Sequence, residues 1–319
     1  MRSRQKLGRT IGACALVIAG LAALPHDGKA ARPEDAPPES RAQVENAQRA
    51  LAPFLAGRTR SIAPLAPGSI ESVLASYAPK KFHPVAEGTL PATMQGARCP
   101  EGMALVGDRF CIDRYEATVE VVAPDGTTRL APANEPLTQL GTGYLYRARS
   151  VAGVLPQSYV SGREAEAACA VAQKRLCEPV EWRAACGGTE GFAYPYGAVR
   201  RPNTCHDTGV SPMLVVYPEQ VKRGFYGTRE MNDPRLNQVQ GGLAKTGAYA
   251  ACVTDAGVFD MVGNLHEWTR DPNGTFQGGF WLDTHEHGDG CAYRTIAHDF
   301  GYHDYSTGFR CCQDPTTAP

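Results

Sequence analysis

The densest group of side chains able to hold a metal lies between residues 283 and 289. Asp283, His285, Glu286, His287 and Asp289 crowd this segment, and His285 and His287 would share a face if it forms a strand. Imidazole nitrogens combined with carboxylate oxygens suit non-haem iron or another divalent metal. A solvated polar loop has the same composition, so a metal centre and an ordinary surface loop are both open interpretations.

More polar residues follow this segment. His298, His303 and Asp304 extend the histidine-rich region. Arg294 and Arg310 lie in the same stretch, and a guanidinium can hold an anionic substrate or serve as a structural ion-pair partner. If the chain is an enzyme, we expect the catalytic residues to come from the following set: Asp283, His285, His287 and Arg294.

No other catalytic motif is recognisable in the sequence. The chain lacks a phosphate-binding P-loop and a Gly-x-Ser-x-Gly nucleophile turn. Its formal net charge of −1 argues against a nucleic-acid partner, because phosphate neutralisation requires a basic surface. With 319 residues, 43% of them hydrophobic, the chain can bury a sizeable core. We therefore expect a globular protein whose substrate is an unknown protein or small molecule.

Residues 1–30 have the layout of a secretory signal peptide. A basic start precedes an apolar run over residues 11–24, and small residues follow up to Ala30-Ala31. An uncleaved N-terminal anchor is the alternative, although the run is short for a bilayer span. No later run is apolar enough to cross a membrane, so we expect export to the periplasm, cell surface or medium, with no anchor after cleavage.

Cysteine usage agrees with export. Ten of the eleven cysteines remain if Cys14 leaves with the signal peptide, and an even number in an exported chain favours disulfides. A thiolate zinc site is the alternative, but no pair has the Cys-x-x-Cys spacing. All ten cysteines lie between Cys99 and Cys312. The change in composition indicates a domain boundary near residue 96.

Residues 31–95 are rich in alanine and proline and resemble a leader or linker. Apolar residues at helical spacing are compatible with one short helix over residues 40–55 and another over residues 68–77. The sequence leaves open whether this segment docks on the following domain or acts as a tether.

Short strands and two helices are predicted after this boundary. Strand-like runs cover residues 103–106 and 110–118, with Asp108 in the turn between them. Ser161 and Glu164 form a capping-box pattern that starts a helix ending near Lys174.

A second helix is predicted to start around Pro179 and to end at Gly187-Gly188. Residues 191–256 are predicted to be mostly loop, with one β-like run over residues 213–217. Trp182 and Trp268 are expected to be core anchors.

Seven segments between residues 103 and 312 occur in the order found in one protein family. They are FCIDRYEAT (110–118), VSGREAEAAC (160–169), KRLCEPVEWRAACGG (174–188), YPYG (194–197), GVFDMVGNLHEWTRD (257–271), GGFW (278–281) and GFRC (308–311). They resemble the formylglycine-generating enzyme, or sulfatase-modifying factor, domain. The resemblance implies an α+β, irregular C-type-lectin-like domain over residues 96–315, with little regular secondary structure and disulfide bonds.

The thiols of the family's best-known activity have no counterpart here. Formylglycine-generating enzymes use two cysteines that bind copper just after an Arg-Gly-Gly-Ser element, which reads Gln277-Gly278-Gly279-Phe280 in this chain. The first cysteine falls near Asp283 and the second within residues 284–288, and neither position holds a cysteine. The His-x-x-x-His-x-Glu iron motif of the related sulfoxide synthases is also absent. We therefore expect no formylglycine generation.

The resemblance also implies disulfide pairs and a metal site. It pairs Cys169 with Cys311 and Cys186 with Cys291, and the remaining cysteines are then expected to form Cys99–Cys111, Cys205–Cys252 and Cys177–Cys312. A structural calcium ion is implied at four positions, which supply only oxygen ligands: Asp260, Gly263, Leu265 and Glu267. The alternative is that Asp260 caps a turn and Glu267 makes a buried hydrogen bond.

Two main functions follow from these expectations. The first is a metal-dependent oxidative enzyme of this family, with iron or copper, acting outside the cytoplasm. The second is a binding or structural module that keeps the fold without catalysis. A carbohydrate-binding role is a third option, by analogy with lectins alone.

Overall fold

The computed structural model of the chain describes residues 88–138, 142–296 and 298–317. The expected signal peptide, the two expected N-terminal helices and nearly all of the leader lie outside these residues. No helix within the described ranges is long and apolar enough to cross a membrane.

Short strands make up four small sheets and leave much of the chain irregular. In chain order the strands are β1 (Ala97–Arg98), β2 (Met103–Val106), β3 (Phe110–Asp113), β4 (Ala117–Val122), β5 (Thr128–Leu130), β6 (Leu145–Ser150), β7 (Arg175–Leu176), β8 (His266–Trp268), β9 (Phe276–Gln277), β10 (Arg294–Thr295), β11 (Thr307–Phe309), β12 (Cys311–Gln313) and β13 (Thr316–Thr317). The strand orders are β1-β13, β10-β9-β8-β11, β2-β3-β12-β7 and β5-β4-β6.

The predicted hairpin at residue 108 is present. Antiparallel β2 and β3 pair from Met103 opposite Asp113 to Val106 opposite Phe110. Asp108 lies in the connecting turn with a φ of 54°, a left-handed conformation that aspartate tolerates better than most residues. This hairpin leads directly into the rest of the sheet, because β12 pairs with β3 on one side and with β7 on the other.

The predicted strand over residues 110–118 is instead two strands in different sheets. β3 ends at Asp113, where its pairing with β2 ends, and β4 begins at Ala117 and pairs with β6. Between them Glu116 is fully buried and accepts a hydrogen bond from the amide of Leu265 at 3.1 Å. A long-range contact that periodicity cannot reveal therefore interrupts the strand.

Both predicted helices are confirmed. The first, α1, covers Gly162–Val171 and begins with the capping box: the amide of Glu164 donates to Ser161 Oγ, and the amide of Ser161 donates to Glu164 Oε2. The second, α2, covers Pro179–Gly187 and is followed by Gly188 at a φ of 64°.

Residues 191–256 are largely irregular, as predicted, but contain short helical turns. These are α3 (Pro212–Val216), α4 (Pro218–Lys222), α5 (Thr228–Met231) and a 3₁₀ turn (Leu236–Gln238). The expected β-like run over residues 213–217 is wrong, because it forms α3. Ser211 caps this helix by accepting from the amide of Leu214, and Pro212 occupies its first turn, so local capping overrides the β-branched composition.

Three buried clusters form the core, and each is built around one tryptophan. Trp182, Trp268 and Trp281 are all completely buried, which confirms the expectation for the first two. Each indole N–H has a partner, because Trp268 donates to the carbonyl of Val160 at 2.8 Å and Trp281 to that of Val210 at 3.0 Å. Trp182 donates to Glu267, which is described below with the site.

Five disulfides link the irregular segments. They are Cys99–Cys111, Cys169–Cys311, Cys177–Cys312, Cys186–Cys291 and Cys205–Cys252, the same pairs that were expected from the sequence. Three of them join the C-terminal third of the chain to earlier elements. Cys169–Cys311 starts from α1, Cys177–Cys312 from the turn after β7, and Cys186–Cys291 from α2. Every cysteine within the described ranges is therefore part of a disulfide.

We expect paired serine substitutions to cost more stability at Cys169–Cys311 than at Cys99–Cys111. The sequence separations are 142 and 12 residues, and the longer closed loop restricts the unfolded chain more. The expected loss for the long-range bridge is about 2–5 kcal/mol. Urea unfolding of the two double variants measures the difference, and equal losses would contradict this account.

Candidate functional site

A buried ion pair joins Arg310, which follows β11, to Glu267 in β8. Arg310 and Glu267 are 0% and 1% exposed, and two parallel hydrogen bonds of 2.6 Å link them. Trp182 Nε1 donates to the same carboxylate at 2.8 Å. Two further guanidinium hydrogens reach the backbone carbonyls of Asp113 and Phe259 at 3.1 and 2.9 Å. This arrangement satisfies a buried charge with good geometry.

Two further buried carboxyl groups lie in the field of this pair. Glu116 accepts from the side chain of Asn264 at 2.6 Å and from the amide of Leu265. Burial, followed by repulsion from Asp260 and Glu267, raises the pKa of Glu116 well above its ordinary value. Burial likewise raises the pKa of Asp260 to about 6. Three buried carboxyl groups thus surround one guanidinium.

The positions implied for calcium belong to this cluster. The chemistry of the donors fits a hard cation, because Asp260, Glu267 and the carbonyls of Gly263 and Leu265 supply only oxygen. However, Glu267 is engaged by Arg310 and Trp182, and Asp260 Oδ2 accepts from the amide of Gly247 at 2.6 Å. Within the described residues, no three His, Cys, Asp or Glu side chains are arranged to hold a metal.

Glycine is required in the turn of this segment. Gly263 has a φ of 82°, and a Cβ there would lie 2.1 Å from the carbonyl oxygen of His206. Asn264 follows, also at positive φ, and its side chain accepts from the amide of Ala244 at 2.9 Å. The turn directs the chain into β8.

A pocket of about 540 Å³ elsewhere on the domain is lined by Arg147, Arg149 and Lys174, but these cations are already paired with Glu120 and Asp113.

The pocket beside β8 is different, because no lysine or arginine lies among its lining residues to pair with its acidic side chains. It has a volume of about 470 Å³. Its lining is mostly aromatic, histidine and acidic: Tyr226, Met231, His266, Phe276, Phe280, Leu282, Asp283, Glu286, His287, Tyr293, Thr295, His298, Tyr302, Asp304, Tyr305 and Ser306.

His266, the first residue of β8, lies in the inner wall of this aromatic pocket. Its ring centroid is 4.7 Å from that of Phe276, 4.9 Å from Phe280 and 5.6 Å from Tyr293. Burial lowers the pKa of His266 to about 3, so the imidazole is neutral at physiological pH. Its Nδ1 is buried and has no hydrogen-bond partner among the described residues.

Asp283 stands on the pocket wall at the end of a tight turn. The amide of Phe280 donates to its carbonyl at 2.9 Å, and a Cβ on Gly279 would lie 2.2 Å from that oxygen. Its carboxylate accepts from the amides of His285 and Glu286 and from the Tyr293 hydroxyl at 2.7 Å. Although partial burial acts in the opposite direction, these bonds lower the pKa of Asp283.

A second carboxylate in the pocket, that of Asp304, is also held by hydrogen bonds. Asp304 is buried and accepts from the amide and hydroxyl of Ser306, both at 2.7 Å, and from the hydroxyl of Tyr302. The ring of His298 lies 4.5 Å from that of Tyr302 and 4.8 Å from that of Phe276. Burial lowers the pKa of His298.

The histidine-rich segment therefore divides between the pocket and the surface. Asp283, Glu286, His287, His298 and Asp304 line the aromatic pocket. Five other predicted residues do not line it, namely His285, Asp289, Arg294, His303 and Arg310. His285 Nδ1 instead contacts Asp289 at 2.8 Å, and His303 Nδ1 contacts Asn232 at 2.7 Å.

His266 is the residue that the sequence analysis missed. It lies between two positions assigned to calcium, so the segment was interpreted through its neighbours. In a strand, alternate side chains face opposite ways, and this rule alone separates His266 from Leu265 and Glu267. The signal was available from the period of two, but only once residues 266–268 are known to be a strand.

These features define a C-type-lectin-like domain of mixed α and β structure, with few regular elements and many disulfides. Residues 84–315 match the family model described as the sulfatase-modifying factor enzyme 1-like domain, and the chain belongs to this family. The resemblance stated from the sequence, and the fold class that it implies, are confirmed.

Two relatives carry a name that bears on activity. The "Inactive C-alpha-formylglycine-generating enzyme 2" of Bos taurus is 30% identical over 138 residues, which cover 40% of this chain and 39% of that protein. The protein of the same name from Mus musculus is 30% identical over 140 residues, covering 41% and 39%. The chain thus spans about two fifths of the length of these curated relatives.

Solved structures with a similar fold include variants of the Major Tropism Determinant. The P3c variant has a TM-score of 0.36 and 16% identity, and the match covers 72% of this chain and 55% of that one. The U1 variant has a TM-score of 0.38 and 16% identity, and the match covers 70% and 55%.

We expect Arg310→Met to destabilise the domain strongly, because it leaves Glu267 buried without its cation. The expected loss is about 3–5 kcal/mol of unfolding free energy, with partial recovery in the Arg310→Met, Glu267→Gln double variant. Arg163→Ala is the control, because its pair with Asp299 is exposed and 3.8 Å long, and it should change stability by less than about 0.5 kcal/mol. Denaturant unfolding measures all three, and an Arg310→Met loss as small as the control would contradict the assignment.

Proposed function

We propose that this protein is an exported, non-catalytic member of the family that binds a ligand in the aromatic pocket. The proposal rests on the oxidation of the cysteines to disulfides. All ten that the structure describes form disulfides, and Asp283 stands where the family's first reactive cysteine is expected. A disulfide sulfur is not a thiolate, so these residues supply no Cu(I) ligand.

The environment of the pocket supports binding. In the turn of residues 278–283, where the resemblance places the family's catalytic segment, the carboxylate of Asp283 accepts three hydrogen bonds, which lower its pKa against the effect of partial burial. A carboxylate held in this way is a recognition group for a polar ligand. The names of the two mammalian relatives, both printed as inactive, are consistent with this proposal.

Export is supported by the disulfides. Bonds of this number form and persist in oxidising compartments such as the periplasm or the extracellular space. The signal-peptide pattern of residues 1–30 agrees with this location.

A metal-dependent oxidative enzyme is the second candidate function. Its candidate ligands are the imidazoles of His266, His287 and His298, which line the pocket with Asp283 but are not arranged as a three-ligand metal group among the described residues. Metal analysis separates the two candidates. Stoichiometric iron or copper that is lost on His287→Ala, and kept on His285→Ala outside the pocket, would favour the enzyme.

We expect the purified full chain to produce no formylglycine on a cysteine-containing peptide of the kind that active family members modify. Copper(I) and oxygen are supplied, and an active formylglycine-generating enzyme is the positive control. Asp283→Cys should remain inactive, because a second thiol is still missing from residues 284–288. Mass spectrometry of the peptide measures the product, and catalytic turnover by the unmodified chain would refute the proposal.

We further propose that calcium binds at Asp260 and stabilises the fold. Burial raises the pKa of Glu116 and Asp260 and so disfavours their ionised forms, and a divalent cation bound to Asp260 would stabilise its carboxylate. Calcium should therefore raise the melting temperature, a chelator should lower it, and Asp260→Asn should abolish the difference. Asp299→Asn, on the exposed surface, is the matched control. Thermal unfolding that is indifferent to calcium at neutral pH would rule this site out.

A further inference from the structure

The aromatic pocket carries negative charge without a fixed positive one. Three carboxylates line it, those of Asp283, Glu286 and Asp304, and no lysine or arginine is among the lining residues. Elsewhere in the described chain, buried acids such as Glu181 and Asp207 are paired with arginine. The carboxylates of the pocket therefore lack the arginine partner that Glu181 and Asp207 have.

Neutral donors hold the two inner carboxylates in place. Asp283 accepts from two amides and the Tyr293 hydroxyl, and Asp304 accepts from Ser306 and the Tyr302 hydroxyl. A carboxylate has about four acceptor sites, so each retains room for one more donor. Neither has an ion-pair partner among the described residues.

Aromatic side chains make up six of the other lining residues. The rings are those of Tyr226, Phe276, Phe280, Tyr293, Tyr302 and Tyr305. Because the hydroxyls of Tyr293 and Tyr302 donate to the carboxylates, each acid lies beside an aromatic ring. The face of an aromatic ring carries partial negative charge and attracts cations.

An unpartnered buried nitrogen is the independent sign of a ligand. Side-chain polar atoms in protein interiors are nearly always hydrogen-bonded, yet Nδ1 of His266 has no partner in the described chain. The residue is 6% exposed, lines the pocket, and lies among Phe276, Phe280 and Tyr293. In the tautomer whose Nδ1 is unprotonated, a ligand N–H would give this nitrogen the bond that the described residues do not supply.

We propose that the aromatic pocket recognises an organic ammonium group, with Asp283 and Asp304 supplying the charge and the surrounding rings supplying cation–π contacts. This inference rests on the proposed ligand-binding function and names the chemical class of the ligand. The volume of about 470 Å³ suits a small molecule or one side chain, such as lysine, and not a folded domain.

The test compares pairs of probes that differ in charge and little in shape. Butylammonium is compared with 1-butanol, and the N-acetyl amide of lysine with that of norleucine. Isothermal titration with the full, disulfide-bonded chain should give at least about tenfold tighter binding of a cation than of its neutral counterpart. The butylammonium pair reports a free alkylammonium ligand, and the lysine pair reports a side chain presented by a peptide.

Two variants locate the preference. Asp283→Asn should remove most of it, and the asparagine oxygen can still accept from the amides of His285 and Glu286. Asp125→Asn is the matched control, because Asp125 also caps a local turn through Thr127 but lies on the open surface. Phe280→Leu keeps an apolar wall without a π face and should weaken the cations selectively.

Three results would overturn the inference. They are equal affinity for the cation and its neutral counterpart in both pairs, no binding of any probe, and a cation preference unchanged by Asp283→Asn in a folded variant. Equal affinity for the cation and its neutral counterpart would still be compatible with a binding module, but one whose ligand is neutral. Formylglycine production, in contrast, would contradict the proposed non-catalytic function and would leave the test of ammonium binding unaffected. The comparison of probes with the unmodified chain stands even if the Asp283 variant fails to fold.

Discussion

The bidentate pair between Arg310 and Glu267 is the contact on which the rest of this domain depends. It brings together three regions that are distant in sequence: the end of β3, β8 with the nearby loop at residue 259, and the segment after β11. A domain with so little regular structure has few backbone ladders to fix its segments. The guanidinium of Arg310 has five hydrogen-bond donors in a fixed planar arrangement. Because this buried charge needs partners in defined positions, it helps to fix segments that few backbone hydrogen bonds hold in place.

This constraint also explains why the pocket exists where it does. Glu267 must point towards Arg310, and in a strand the preceding side chain then points to the other face. His266 is thereby directed among Phe276, Phe280 and Tyr293, away from the ionic cluster. One short strand thus holds a structural charge on one side and a neutral imidazole on the other, and substitutions on the two faces should have separable effects.

Local signals carried the predictions of the two helices, whereas features that depend on long-range contacts were not visible in the sequence pattern. The helix of Gly162–Val171 follows from Ser161 and Glu164 because a capping box involves neighbouring residues only. The break between β3 and β4 depends on Glu116 reaching Leu265, which no nearby residue announces. The histidine-rich segment was recognised as notable, but only tertiary structure shows that His287 and His298 reach the pocket while His285 and His303 do not.

The same fold can keep its framework while the chemistry at its centre changes. The ion pair, the three buried tryptophans and the disulfides act on stability and are indifferent to what residue 283 does. Position 283 itself lies on a turn fixed by Gly279, so a new side chain inherits a defined place on the pocket wall. A carboxylate there cannot bind copper as a thiolate would, but it can attract a cation. The aspartate at position 283 therefore sets the charge of the pocket wall without taking part in the ion pair or the disulfides that stabilise the fold.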